Sequence, residues 1–169
     1  IKLRGEDRVA LTCLGEGSTS EGDFYEGLNW AGVHRLPLIC IVQNNIYAIS
    51  VPVDKQMAVP NVADRAPMYG IAGVIVDGND VLASYRAIKE AADRARSGGG
   101  ATLIEAKTYR PVPHSSDDDD RSYRSRDEVE QWKHRDPIAR FQAYLLVRGV
   151  LTVDLIQDVE ARAREVIDA

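Results

Sequence analysis

Gly15-Glu16-Gly17-Ser18-Thr19-Ser20-Glu21-Gly22-Asp23, a helical run, and Pro37-Leu38-Ile39-Cys40-Ile41-Val42-Gln43-Asn44-Asn45 form the stretch that organises this chain. Just upstream, Arg8-Val9-Ala10-Leu11-Thr12-Cys13-Leu14 is a short apolar run bounded by charge and glycine, the pattern of a buried strand. Gly15 and Gly17 let the backbone turn sharply and approach a ligand closely. Ser18, Thr19 and Ser20 are good helix N-caps, and Asp23 follows Ser20 at capping-box spacing. Phe24, Leu28, Ala31 and Val33 suit the buried face of the helix. Leu38 to Val42 is continuously apolar, as in a parallel strand covered on both sides.

A strand–helix–strand unit brings both strand C-termini to one edge, where open α/β sheets bind ligands. Glu16 and Asn45 therefore fall on the same edge, although 28 residues lie between them. A carboxylate, an amide oxygen and a backbone carbonyl suit a hard cation such as Mg²⁺. Free backbone N–H groups at the start of the helix suit a phosphate beside it. Each piece alone is common; the constellation is specific.

The chain has 169 residues, 44% of them hydrophobic and 28% charged, enough for one globular domain with a sizeable core. A net charge of −5 argues against nucleic acid or anionic lipid as a partner. No apolar segment approaches the roughly 20 residues that span a bilayer, and no signal-peptide pattern is present. Cys13 and Cys40 both fall in predicted buried strands, so free thiols and a reducing cytosol are expected, or the mitochondrial matrix in a eukaryote. The chain starts at Ile1 and runs almost at once into a core strand, so it is expected to be a piece of a longer polypeptide.

Further along, 61–65 is expected to form a short helix, and Ile71 to Val76 a third buried strand. Asp80 is expected to cap a helix through Arg96, with Val81, Tyr85, Ile88 and Ala92 on its apolar side. Ala101 to Ala106 reads as a fourth strand. Residues 108–126 form a long polar loop without periodicity, and such loops are functional or disordered. Helices are expected over 127–133, from Asp136-Pro137 to Val147, and over 152–169. The fold class is α/β: a mainly parallel sheet with helices on both faces and C-terminal helices, as one domain with a core (1–107), an active-site loop (108–126) and helices (127–169). His114 follows the fourth strand and so can share the edge with Glu16 and Asn45, where an imidazole can donate to a phosphate or move a proton.

Gly15-Glu16-Gly17 and Asn44-Asn45 enclose 26 residues and resemble the thiamine-diphosphate motif, with Glu16 in place of the usual aspartate. That variant, together with Tyr109-Arg110, His114-Ser115 and Tyr123-Arg124-Ser125, resembles the α subunit of the decarboxylating component of branched-chain 2-oxo acid dehydrogenases. The resemblance extends over essentially the whole chain, including Val76 to Val81 and Asp136-Pro137-Ile138, but lacks an N-terminal portion of the family. It implies thiamine diphosphate and Mg²⁺ as cofactors, with Glu16, Asn45 and the Tyr47 carbonyl as metal ligands. Gly17, Ser18, Gln43 and His114 would contact the cofactor, Gln43 replacing an arginine, and His114 would be the catalytic residue. Ser115 and Ser125 match residues phosphorylated in mitochondrial members. The implied reaction is oxidative decarboxylation of a branched-chain 2-oxo acid, with acyl transfer to a lipoyl group on an acyltransferase component. The implied assembly is α₂β₂, with a β subunit completing the site, so this piece alone is expected to be inactive. On the family view Arg110 and Arg124 pair with some of the aspartates at 117–120 and order the loop; in the isolated piece it is expected to settle only against diphosphate and a neighbouring chain. The same chemistry on pyruvate or acetoin, and a non-catalytic assembly domain, are the alternatives.

Overall fold

The strands are β1 (Ala10–Gly15), β2 (Leu38–Asn44), β3 (Tyr47–Ala48), β4 (Val51–Pro52), β5 (Ala72–Asp77) and β6 (Thr102–Lys107) in the computed structural model, which describes residues 1–168. The helices are α1 (Gly22–Val33), α2 (Val53–Gln56), α3 (Val81–Arg96), α4 (Arg126–Lys133), α5 (Pro137–Val147) and α6 (Val153–Asp168). Two compact units result, Ile1–His134 and a helical unit from Arg135 onward.

In the first unit, four strands form a parallel sheet in the order β1-β2-β6-β5. Gly15 pairs with Gln43, Gln43 with Ala106, and Ala106 with Val76, so all four strands end along one edge. The two central strands are covered on both faces. Cys40, Val42 and Leu103 pack against Phe24 and Leu28 of α1 and against Val62 and Ala66 of a 3-10 helix (Val62–Tyr69). Ile39 and Ile104 pack on the other face against Ala91 of α3. Burying each such Leu or Ile stabilises the fold by about 1.5–3 kcal/mol. Gly32 lets α1 lie against the 3-10 helix, since a Cβ there would stand 2.0 Å from the Tyr69 carbonyl oxygen.

Several local expectations change. Strand β1 lies at the sheet edge with Ala10 to Cys13 exposed, because α1 packs over its neighbour β2; Cys13 is exposed and Cys40 alone is buried. Strand β5 is the other edge, with Gly73 and Ile75 exposed. The buried stripe of α3 is Ala87, Ala91 and Ala95, while Val81 and Tyr85 are exposed; small side chains let the helix settle close to the sheet. Val33 of α1 is also exposed. The serines before α1 belong to a 3-10 turn (Glu16–Ser20), so no capping box forms; α1 starts after Glu21 without a side-chain cap. The expected short helix at 61–65 is the longer 3-10 helix Val62–Tyr69. Asp80 does cap α3, accepting from Ala83 N at 2.9 Å.

In the second unit, Asp136 caps α5 through Ile138 N at 2.8 Å, with Pro137 in the first turn. The expected last helix includes Ala169, which lies outside the described residues. No helix among the described residues is long and apolar enough to cross a membrane.

Candidate active site

Six of the residues singled out in the sequence, Glu16, Gly17, Ser18, Asn45, Tyr47 and His114, line one cleft of about 530 Å³ at the C-terminal edge of the sheet. Glu16 opens the 3-10 turn directly after β1, and Asn45 follows the last residue of β2. The backbone N–H of Asn45 donates to Glu16 Oε2 at 3.2 Å. The other oxygen, Glu16 Oε1, is buried and has no hydrogen-bond partner among the described residues. A buried carboxyl oxygen left this way costs free energy unless a donor or a cation meets it. The turn itself is held by Thr19 Oγ1, which donates to the Glu16 carbonyl at 2.6 Å. Arg65 braces it from the 3-10 helix, donating to the Thr19 carbonyl at 3.0 Å.

The two adjacent asparagines have different jobs. Strand alternation turns Asn44 inward, where it is 1% exposed; its Nδ2 donates to Glu105 Oε1 at 2.7 Å, and its Oδ1 accepts from Ile46 N at 3.0 Å. Asn45 sits at the cleft, and its Oδ1 accepts from Tyr47 N at 3.3 Å. Between them and Tyr47, Ile46 adopts φ 79°. A β-branched residue rarely takes that conformation, and such strain concentrates where the surroundings over-determine the backbone. Gly17 is required by packing: a Cβ there would meet Ala48 Cβ at 2.7 Å. The side chain of Gln43 points to the opposite face of β2 from Val42 and Asn44; it is exposed and is not among the residues that line the cleft.

The loop at 108–126 is not held by apolar periodicity; its contacts are made by charged side chains. Arg124 is 5% exposed and donates to Asp120 at 2.6 and 2.9 Å and to the carbonyls of Val112, at 2.9 Å, and Arg110. Arg126 also reaches Asp120. Burial pushes the Asp120 carboxyl up, but the hydrogen bonds from Arg124 and Arg126 outweigh it and hold the group below the ordinary carboxylate value. Asp118 is held low by the Tyr123 hydroxyl and by the backbone N–H of His114. Arg124 thus pairs with an aspartate of the loop, as the sequence reading expects, and His114 lies at the cleft.

Arg110 ties the loop to the hairpin of β3 and β4. Its guanidinium donates to the carbonyls of Tyr47 at 3.4 Å and Ile49 at 2.6 Å, rather than to the aspartates. It also lies 3.4 Å from His114 Nδ1. Because a guanidinium only donates, this contact makes Nδ1 an acceptor and leaves the neutral imidazole its proton on Nε2. Below the loop, Glu128 of α4 accepts from the hydroxyls of Tyr109 at 2.9 Å and Tyr47 at 3.2 Å. Burial and the bond to Glu128 push the Tyr109 hydroxyl up to about 12. Ser115 is exposed, and Ser125 caps α4 by accepting from Glu128 N at 3.1 Å.

Among the described residues, no three His, Cys, Asp or Glu side chains group to hold a metal. One carboxylate with a free oxygen, one amide and a backbone carbonyl fit Mg²⁺, which keeps several of its waters. Glu105 and Glu128 went unnoticed in the sequence. A single acid inside the apolar run Leu103-Ile104-Glu105-Ala106 was the available signal for the first; an amphipathic helix offers none for the second.

The family described as the dehydrogenase E1 component matches residues 1–169. The chain is 54% identical over 156 residues to the 2-oxoisovalerate dehydrogenase subunit alpha of Bacillus subtilis, covering 92% of this chain and 47% of that protein. It is 51% identical over 161 residues to the 3-methyl-2-oxobutanoate dehydrogenase subunit alpha of Mycobacterium tuberculosis, covering 95% and 44%. It is 46% identical over 170 residues to the pyruvate dehydrogenase E1 component subunit alpha of Staphylococcus aureus, covering 100% and 46%. The chain thus spans about half the length of the curated relatives it matches. It belongs to the dehydrogenase E1 component family.

Proposed function

We propose that this chain carries the metal-binding end and a proton-handling histidine of a thiamine-diphosphate site, in the α subunit of a branched-chain 2-oxo acid dehydrogenase. The observation that carries the reading is Glu16, a buried carboxylate with one oxygen on the Asn45 N–H and the other unpartnered, at the cleft that His114 also lines. Glu16, Asn45 and the Tyr47 carbonyl would hold Mg²⁺, and Gly17 and Ser18 would bring backbone close to the diphosphate. Gln43, exposed and outside the cleft lining, adds no support for a diphosphate contact. When bound, the cofactor would supply the electron sink for loss of CO₂. His114 would hold or deliver a proton at Nε2, oriented through Nδ1 by Arg110. The acyl group would pass to a lipoyl arm, and a β subunit would complete the site in an α₂β₂ assembly within a reducing cytosol, or the mitochondrial matrix in a eukaryote.

Identity to 2-oxoisovalerate and 3-methyl-2-oxobutanoate dehydrogenase subunits supports a branched-chain substrate. The pyruvate dehydrogenase relative, at 46%, favours pyruvate as the second reading. The test is decarboxylation by the full-length protein with its β subunit, thiamine diphosphate and Mg²⁺, on 2-oxoisovalerate and pyruvate side by side. A higher kcat/KM for 2-oxoisovalerate is expected. A preference for pyruvate transfers the assignment to the second reading, and no turnover of any 2-oxo acid leaves a non-catalytic assembly domain.

A further inference from the structure

Glu105 lies on β6, between β2 and β5, and is fully buried. Its neighbours in the strand, Leu103 and Ile104, are apolar, and the sheet itself gives no reason for an acid there. A carboxylate so placed is tolerated only when its oxygens are hydrogen-bonded and its charge is paired. Three donors meet it: Asn44 Nδ2 at 2.7 Å and Lys107 Nζ at 2.6 Å on Oε1, and Ala63 N at 2.9 Å on Oε2.

Two of these bonds lead to opposite sides of the cleft. Because Asn44 turns its Nδ2 to Glu105, its Oδ1 is left to accept from Ile46 N at 3.0 Å. That bond holds the turn with φ 79° at Ile46, which delivers the Asn45 N–H to Glu16 and carries the Tyr47 carbonyl. The Ala63 bond pins the start of the 3-10 helix (Val62–Tyr69), from which Arg65 reaches Thr19, in the same turn as Glu16. We propose that Glu105 is a positioning residue for the cation site, bracing the Asn45 turn through Asn44 and the Glu16 turn through Ala63 and Arg65. The proposal rests on the Mg²⁺ reading above.

The test uses the full-length protein with its β subunit, titrated with Mg²⁺ at fixed thiamine diphosphate, with the melting temperature of the Mg²⁺-free protein as the structural control. Glu105→Asp keeps the charge but is one methylene short of its donors. Glu105→Gln keeps the length but turns a donor toward Asn44 Nδ2 or Ala63 N. Both are expected to weaken Mg²⁺ about 10–100-fold, the usual loss when a residue supporting metal ligands is removed. Asn44→Asp combined with Glu105→Gln reverses the pair: the amide at 105 donates to the carboxylate at 44, which still accepts from Ile46 N. This exchange is expected to restore most of the affinity, and it decides the matter if a single variant melts too low to titrate. Unchanged Mg²⁺ affinity in Glu105→Asp would overturn the proposal, leaving only an effect of charge. So would an exchange variant that melts like the wild type yet binds as weakly as Glu105→Gln. Failure of the wild type to take up Mg²⁺ at all would instead sink the cation reading, and this inference with it.

Discussion

The backbone N–H of Asn45 donates to Glu16 Oε2 across 3.2 Å, although the two residues stand 29 apart in the sequence. The bond joins the turn after β1 to the turn after β2 at the sheet edge. It occupies one carboxyl oxygen and leaves the other buried without a partner, so on the proposed reading an oxygen for the cation is in place beforehand.

Removing that oxygen should therefore separate stability from binding. In Mg²⁺-free full-length protein with its β subunit, Glu16→Gln is expected to melt at the wild-type temperature or above it, since the amide oxygen can still accept from Asn45 N and a neutral group replaces a buried carboxylate oxygen that no cation meets. With thiamine diphosphate fixed in both arms and Mg²⁺ at a hundred times its dissociation constant for the wild type, the wild type should gain about 2.7 kcal/mol from the metal and the variant far less. Scanning calorimetry with and without Mg²⁺ checks this, and an equal gain in both proteins would remove Glu16 from the metal site.

Gly17 is tested by volume. Gly17→Ala would place a Cβ 2.7 Å from Ala48 Cβ, so β3 must move away from the turn. Overpacking of this kind costs about 1–3 kcal/mol. Ala48→Gly in the same chain should recover much of the loss, and a denaturant-based double-mutant cycle measures the recovery. Strict additivity of the two substitutions would show that the close approach is not the cause.

The parallel strands and the edge that gathers the site were legible because the short apolar runs Ala10 to Leu14 and Leu38 to Val42 are each followed at once by turn residues, at Gly15 and at Asn44-Asn45. What such runs do not reveal is a strand's neighbours, so the edge position of β1 and the exposure of Cys13 were missed. The different roles of Asn44 and Asn45 were readable in principle: Cys40, Val42 and Asn44 share one face of β2, which sends the first amide inward. Of the two arginines expected to order the loop on its aspartates, Arg124 does pair with Asp120, whereas Arg110 turns to the carbonyls of Tyr47 and Ile49, contacts distant in sequence that no periodicity records. On α3 the expected apolar side is half right: Ile88 and Ala92 pack against the core, Val81 and Tyr85 are exposed, and the fully buried positions are the small Ala87, Ala91 and Ala95.

His114→Ala in the assembled full-length protein is expected to lower turnover of the 2-oxo acid roughly 10²–10⁴-fold, the usual loss for a positioned proton donor. The loop should keep its place, because the residue's anchor to Asp118 is a backbone N–H, at 2.8 Å, that alanine retains. Steady-state kinetics and the melting temperature together make the check. Near-normal kcat with an unchanged fold would reduce His114 to a surface residue of the loop.

The acid limit of the loop follows from Asp120. The group is 4% exposed, and Arg124 and Arg126 hold it below its ordinary value of 3.8 against the upward push of burial. Asp118 is lowered as well, by Tyr123 and the His114 N–H. A carboxyl group whose value is lower in the folded protein than in the unfolded chain contributes its full stabilisation above the unfolded value. That contribution is lost as pH falls through the lowered one. The loop should thus be insensitive to pH around neutrality and loosen only below about pH 4. Trp132 reports on it, since its ring stacks on Tyr109 at 5.1 Å with an interplanar angle of 1°, and the Arg124 guanidinium lies 5.3 Å over that same tyrosine. In a Trp30→Phe background, Trp132 emission should change in a step below pH 4. Asp120→Asn should show much of the loosened signal already at pH 7, with only the smaller acid step that Asp118 leaves, and should admit tryptic cleavage after Arg124, which is otherwise buried. An acid step of the same size and position in Asp120→Asn would show that other carboxylates, not this ion pair, hold the loop in place.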